Sequence, residues 1–141
     1  MVLQALYQWQ IGGESVTEIE VQFRAHNDMS KIDDGYFHEL LHGIVRNASK
    51  LDTEIAPLLD RSLEQLDPVE RAALRIGCFE LMERIDVPYR VVINEGVELA
   101  KCFGGQDSHK YINGILDKLA PRMRAVEVKE YRNRGTVTHT D

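Results

Sequence analysis

Apolar residues recur at intervals of three and four along most of this chain, which is the period of an α-helix. The clearest stretch, residues 86–120, holds two such patterns separated by Gly104 and Gly105. We expect the glycine pair to end the first helix in a left-handed conformation, and Asp107 or Ser108 to cap the second. No stretch alternates between apolar and polar residues for the length of a strand. The pattern therefore predicts an all-α protein.

A second strong helix start lies at residues 67–70, which read Asp-Pro-Val-Glu. Asp suits the cap, Pro the first helical position and Glu the first turn. The helix that follows is apolar on every side, so we expect it to be the buried central helix. With the weaker patterns, the sequence predicts about seven helices in two small bundles. We place these bundles at residues 1–62 and 63–124, followed by a flexible tail at 125–141 that is disordered from about residue 130.

The charge and composition of the chain limit the kinds of molecule that it is expected to bind. The net charge of −6 argues against a protein that binds nucleic acid through charge alone. Residues 1–70 carry 5 basic and 13 acidic side chains, whereas residues 71–141 carry 12 and 10, so a polyanion surface is expected mainly in the second half. With no signal peptide and no apolar run of about 18 residues, we expect a cytoplasmic protein without membrane contact. Cys78 and Cys102 fit no paired metal spacing, and we interpret them as reduced thiols.

The chain also contains His-Glu-Leu-Leu-His, which matches the zinc-hydrolase pattern H-E-x-x-H. In that pattern His38 and His42 would face one metal, Glu39 would act as general base, and Glu64 is a candidate third ligand. At about 100° per residue, however, both histidines fall away from the apolar stripe, beside Arg46, on a face that we expect to be solvated. We therefore predict no metal, no cofactor and no catalytic residue, and a zinc hydrolase stays the last alternative.

Four stretches carry a family resemblance. They are ALYQW at residues 5–9, LDPVERAA at 66–73, DVPYRVVINE at 86–95 and FGGQDSHKYINGILDK at 103–118. They resemble the NusB family of bacterial transcription antitermination factors, and the resemblance covers about residues 2–121. It implies an all-helical protein that binds boxA-type single-stranded RNA together with NusE, a small-subunit ribosomal protein. It further implies assembly with other Nus factors on RNA polymerase, and no catalysis.

The same resemblance implies a set of site residues. The RNA-facing set is Tyr7, Arg75, Phe103, Asp107, Lys110 and Tyr111. Glu70, with the segments around it, would lie toward NusE. Aromatic rings that stack on bases and cations that pair with phosphates are the means by which proteins bind single-stranded RNA. Tyr111 as a residue flanking the core, and Lys110 as a solvated lysine, are open alternatives.

One departure from the family pattern concerns the N-terminus. NusB-like chains usually carry an arginine-rich stretch ahead of the Ala-Leu-Tyr motif, whereas this sequence starts at Met1 inside that helix. We therefore expect weaker RNA binding by this chain alone, with NusE binding less affected. Two alternatives keep the fold. One is a protein-interaction module that forms homodimers through the face otherwise given to RNA. The other is an RNA-binding module of the kind fused to RNA cytosine methyltransferases.

Overall fold

Eight α-helices and no strand make up the part of the chain that the computed structural model describes, residues 1–140, with side chains described to residue 134. The helices are α1 (Val2–Gly12), α2 (Val16–His26), α3 (Asp34–Arg46), α4 (Ala48–Ile55), α5 (Pro68–Glu83), α6 (Tyr89–Phe103), α7 (Ser108–Met123) and α8 (Ala125–Thr140). Two short 3-10 helices, Ala56–Leu58 and Leu63–Gln65, connect α4 to α5. The all-α prediction is confirmed, whereas the expected count of about seven helices is too low. Among these described helices, none combines the length and apolar character that crossing a bilayer requires.

Helix α5 is the centre of the fold. It starts where the sequence predicts, because the Asp67 carboxylate accepts a hydrogen bond from the Val69 N–H at 2.7 Å and Pro68 takes the first helical position. Buried residues lie on all of its sides, and it contacts α1, α3, α4, α6 and α7. The prediction of a central buried helix is therefore confirmed.

Helices α5, α6 and α7 approach closely around one leucine. Leu116 of α7 is fully buried and lies against Gly77 of α5 and Gly96 of α6. A Cβ atom added at Gly77 would lie 2.7 Å from a Leu116 methyl carbon, and one added at Gly96 would lie 2.8 Å from the other. Both contacts are shorter than carbon atoms tolerate, so Leu116 keeps this position only while residues 77 and 96 lack a side chain.

A single hydrophobic core runs through both halves of the chain, from Leu3 in α1 to Val128 in α8. Its members include fully buried residues of α3 and α4 as well as those of α5, α6 and α7. The predicted bundles at residues 1–62 and 63–124 therefore do not correspond to two separate cores, and the boundary between them stays a prediction.

A buried arginine closes the C-terminal end of α5. Arg124, which follows α7, donates hydrogen bonds to the carbonyl oxygens of Glu80, Leu81 and Arg84 at 2.8–3.0 Å. It also donates to the Val87 carbonyl at 2.8 Å. The Glu80 carbonyl also accepts from the Arg84 N–H at 3.0 Å. The last carbonyls of a helix lack a partner within the helix, so the guanidinium replaces the water that the Leu81 carbonyl would otherwise require. Residue 124 is thereby fixed to the core.

The segment predicted as a flexible tail from residue 125 begins instead as helix α8. The Glu127 carboxylate accepts hydrogen bonds from Arg124 and from the Tyr89 N–H, each at 2.8 Å, and Val128 is buried. Composition suggested a tail because the segment is polar, but the Glu127 contacts attach its first turn to Arg124 and to the start of α6. Flexibility of the final residues stays a prediction, and residue 141 lies outside the described part.

Candidate nucleic-acid interface

Two aromatic rings from distant parts of the sequence line one surface cavity. Tyr7 of α1 and Phe103 at the end of α6 enclose about 220 Å³ together with Leu3, Gln4 and Val69, and we call these five residues the aromatic groove. Tyr7 is 37% exposed and Phe103 is 46% exposed. The packing of α1 and α6 on α5 brings the rings together. Exposed rings beside an apolar floor form a surface on which bases can stack.

The turn between α6 and α7 differs from the expected geometry. The left-handed residue is Asp107, with φ of 66°, whereas Gly104 has φ of −88°. The expectation of a left-handed glycine at 104 is therefore wrong. Gly104 is required for close approach, since a Cβ there would lie 2.6 Å from the Ala100 carbonyl oxygen and 2.8 Å from Ser108 Cβ. Asp107 occupies the cap position of α7, but its side chain makes no capping hydrogen bond.

Five side chains at the start of α7 and in the preceding 60–61 segment form what we call the α7 edge: Asp60, Arg61, Asp107, Lys110 and Tyr111. Lys110 Nζ lies 3.4 Å from Asp107 Oδ1, and these side chains are 74% and 63% exposed. The Tyr111 hydroxyl donates to Asp60 Oδ1 at 3.0 Å, while the Arg61 guanidinium lies 4.8 Å from the Tyr111 ring centre. Arg61 also pairs with Asp60 at 2.8 Å. Each cation of the edge thus has a carboxylate neighbour.

The ionisation states of the α7 edge follow from these contacts. Hydrogen bonds from Arg61 and Tyr111 hold the pKa of Asp60 below its usual range, so this carboxylate is charged at neutral pH. Burial and the hydrogen bond to Asp60 raise the pKa of Tyr111, so its ring stays neutral. Exposed ion pairs are weak, and a phosphate group can therefore replace either carboxylate as the partner of a cation.

Arg75 and Glu70 lie inside the fold rather than on its surface. Arg75 is 8% exposed, and its guanidinium donates two hydrogen bonds to the Asp52 carboxylate, at 2.9 and 2.8 Å, and one to Gln10 Oε1 at 2.9 Å. Glu70 is 9% exposed and accepts a hydrogen bond from Ser108 Oγ at 2.9 Å. Arg75 therefore links α5 to α1 and α4, and Glu70 links the start of α5 to the start of α7.

Sequence reasoning did not single out Asp60 and Arg61 as members of this surface. In the sequence they belong to a stretch that resembles a boundary between bundles, and they lie about fifty positions before Tyr111. No local pattern marks such a contact, because it depends on how α7 packs against the segment after α4. From the sequence, only Tyr111 was predicted to belong to this surface, and its partners Asp60 and Arg61 were not.

The His-Glu-Leu-Leu-His sequence lies in α3, and both of its imidazoles face Glu20 of α2. His38 Nδ1 lies 2.9 Å from each Glu20 carboxylate oxygen, and His42 Nε2 lies 2.8 Å from Oε1. Burial alone would raise the pKa of Glu20, but hydrogen bonds from Arg24 and both histidines outweigh it and lower the pKa to about 2. The expected solvated face is thus partly covered by α2, and Glu64 is not a member of this group.

Exposed aromatic rings and surface cations are the side chains with which proteins contact single-stranded nucleic acid, and this all-helical fold presents both kinds. The sequence model of the NusB family matches residues 1–121. The chain belongs to the NusB family.

Two relatives show how near the sequence is to other members. It is 59% identical over 132 residues to the transcription antitermination protein NusB of Pseudomonas savastanoi pv. phaseolicola, covering 94% of this chain and 80% of the relative. It is 58% identical over 132 residues to the protein of the same name from Alcanivorax borkumensis, covering 94% and 88%.

Solved structures agree in fold. NusB of T. maritima superposes with a TM-score of 0.77 at 32% identity, covering 84% of each chain. A chain from the crystal structure of NusB and NusE in complex with double-stranded RNA superposes with a TM-score of 0.77 at 28% identity, covering 86% of this chain and 91% of the other. These similarities confirm the all-helical fold and the family resemblance of the sequence motifs.

Proposed function

We propose that this protein is an RNA-binding transcription antitermination factor that binds boxA RNA together with NusE. The observation that carries the proposal is the aromatic groove, in which Tyr7 and Phe103 present exposed rings. Relatives are named transcription antitermination protein NusB, and a similar chain occurs in a solved complex with NusE and RNA. Both findings support the same function for this chain.

We assign a role in RNA binding to each side chain from the contacts that it makes. Tyr7 and Phe103 stack on unpaired bases, and Tyr111 adds a third ring that Asp60 and Arg61 hold in place. Lys110 binds phosphate after exchanging Asp107 for the RNA backbone, because the two side chains are mostly exposed and their ion pair is weak. The edge carries as many carboxylates as cations, so we expect a shallow dependence of affinity on salt.

Arg75 and Glu70 take supporting roles in this proposal. Arg75 is neutralised by Asp52 and holds Gln10, so it positions the end of α1 instead of contacting phosphate directly. Glu70 fixes the start of α7 through Ser108, and the surface around it is the side that we assign to NusE. Other Nus factors and RNA polymerase would join through this assembly.

The test measures binding of a fluorescent boxA RNA, and of a scrambled RNA, by fluorescence anisotropy with and without NusE. We expect tighter binding of boxA than of the scrambled RNA, and tighter binding again when NusE is present. Tyr7→Leu and Phe103→Leu keep an apolar side chain in the groove and remove the ring, so each should weaken boxA binding by about fivefold or more. Tyr131→Leu is the matched control, since Tyr131 is an exposed aromatic on α8 away from the groove.

The possible failures are distinguishable. If the protein bound neither boxA nor NusE, the proposed function would be wrong although the fold is that of the family. If boxA bound but all three leucine variants bound equally well, the function would stand and the aromatic groove would be the wrong site.

A further inference from the structure

One cluster of metal-binding side chains takes no part in the RNA interface. Glu20 of α2 and His38 and His42 of α3 place a carboxylate oxygen and two imidazole nitrogens within 4.8 Å of one another. The two histidines are one helical turn apart, and their rings stack with centres 4.2 Å apart. Glu20 is 7% exposed, so its carboxylate is held in place by the surrounding helices.

The donor atoms are spaced for a tetrahedral metal. Zinc–ligand distances of about 2.0–2.2 Å place neighbouring ligand atoms of a tetrahedron about 3.3–3.5 Å apart. The contacts from Glu20 to His38 and His42, at 2.9 and 2.8 Å, are slightly shorter than this, and all three ligand atoms lie within 4.8 Å of one another. Small rotations of the two imidazoles would therefore bring all three atoms to zinc-binding distance.

The second carboxylate oxygen is already held by a different partner. Arg24 Nη2 donates to Glu20 Oε2 at 2.7 Å, and Arg24 also pairs with Asp34. Glu20 Oε1, which both histidines approach, is therefore the free ligand atom. Ligand carboxylates in metal sites are commonly oriented by such an outer hydrogen bond.

We propose that Glu20, His38 and His42 bind one divalent transition metal of the Zn²⁺ class, with water in the fourth position. Imidazole and carboxylate ligands suit Zn²⁺ among the common divalent metals. The metal would join α2 to α3, which also meet through the Arg24–Asp34 ion pair and at the Phe23 and Phe37 rings, 6.4 Å apart. This proposal does not depend on RNA binding.

The role assigned to the metal is structural. In the hydrolase pattern the general base would be Glu39, but its side chain is 68% exposed and lies 3.7 Å from Arg84. Glu39 therefore pairs with a cation from α5 and is not one of the three clustered ligands. The metal would crosslink α2 and α3, and the H-E-x-x-H sequence contributes only its two histidines to the site.

The test uses the full chain, first stripped of metal with a chelator, in buffer without imidazole. Zn²⁺ binding is measured by calorimetry, and Co²⁺ is added separately because its visible absorption distinguishes tetrahedral from octahedral coordination. We expect one saturable Zn²⁺ per chain and a tetrahedral Co²⁺ spectrum. His38→Asn and His42→Asn should each weaken Zn²⁺ affinity by more than the roughly 100-fold that losing an outer partner costs.

His26→Asn is the matched control. His26 is an exposed histidine of α2 whose ring contacts the Gln22 carbonyl, outside the cluster. Its variant should bind Zn²⁺ like the wild type, and Zn²⁺ should raise the Tm of both but not of the His38 or His42 variants. Circular dichroism of each metal-free variant checks that it is folded. His38 is the more exposed of the two histidines, so its variant is the less disturbing to the fold. Unsaturable binding, equal affinity in all variants or an octahedral Co²⁺ spectrum would overturn the proposal.

Discussion

Replacing Asp107 with Asn should strengthen RNA binding. Asn is isosteric with Asp and tolerates the left-handed backbone that this position adopts, with φ of 66°. The Asp107 side chain makes no capping hydrogen bond, so the exchange costs the start of α7 no such bond. The change removes one negative charge that lies 3.4 Å from Lys110 Nζ and faces the proposed phosphate path.

The expected gain in RNA affinity is the sum of two small contributions to the free energy of binding. An exposed ion pair such as Lys110 with Asp107 is worth about 0.2–1 kcal/mol, and that free energy no longer has to be overcome when phosphate binds Lys110. Repulsion between the carboxylate and a phosphate about 6 Å away adds about 0.7 kcal/mol in water before screening by salt. Together they predict a gain in affinity of about 5- to 20-fold before screening, shrinking as salt rises.

The assay is anisotropy with boxA RNA at several salt concentrations. Asp117→Asn is the matched control, because it removes the same charge from an exposed position of the same helix. The double variant with Lys110→Gln completes a mutant cycle, in which most of the gain should disappear if Asp107 acts through Lys110. If Asp117→Asn raised the affinity for boxA equally, the effect would come from the net charge of the protein and not from Asp107 in particular. An unchanged or lower affinity of Asp107→Asn would refute the reasoning.

Two further predictions concern buried polar groups. Arg75→Met should lower the free energy of unfolding in urea by about 3 kcal/mol, the low end for breaking a buried pair, because Asp52 retains some contact with water. Adding Asp52→Asn should recover part of this loss, and an unchanged single variant would contradict the prediction. The Tyr36 hydroxyl donates to a Glu80 oxygen at 2.6 Å, and burial together with this carboxylate raises the pKa of Tyr36. The neutral Tyr36 side chain therefore stabilises the fold below about pH 10, and this stabilisation is lost as the pH rises further. The fall of Tm above pH 10 should be shallower in Tyr36→Phe, and a parallel fall in both proteins would count against it.

Helix starts could be predicted because their signals are local. Asp67 and Pro68 act within one turn of the helix that they begin, and Ser15 likewise accepts a hydrogen bond from the Glu18 N–H. The sequence thus defined most helices without knowledge of their neighbours. It failed for the polar segment after residue 124, where Glu127 accepts a hydrogen bond from the Tyr89 N–H of α6, 38 positions earlier in the chain.

The candidate sites show the same limit. The resemblance placed Tyr7 and Phe103 in one set, and the fold brings them to one groove. It also placed Arg75 there, although its burial depends on Asp52 of another helix. The helical period correctly directed His38 away from the core stripe but carried no information on what α2 presents to it. Side-chain partners across helices are decided by packing, and a single sequence does not encode that geometry in a readable pattern.

The bonds from Arg124 to the end of α5 have a consequence for the order of events during synthesis. Translation adds about 5–20 residues per second, so the guanidinium is made about 2–9 s after Leu81, whose carbonyl it satisfies. Until then, water must solvate the end of α5, and the nascent chain keeps an open flank beside its central helix. The final closure of the core around the end of α5 therefore waits for one late arginine.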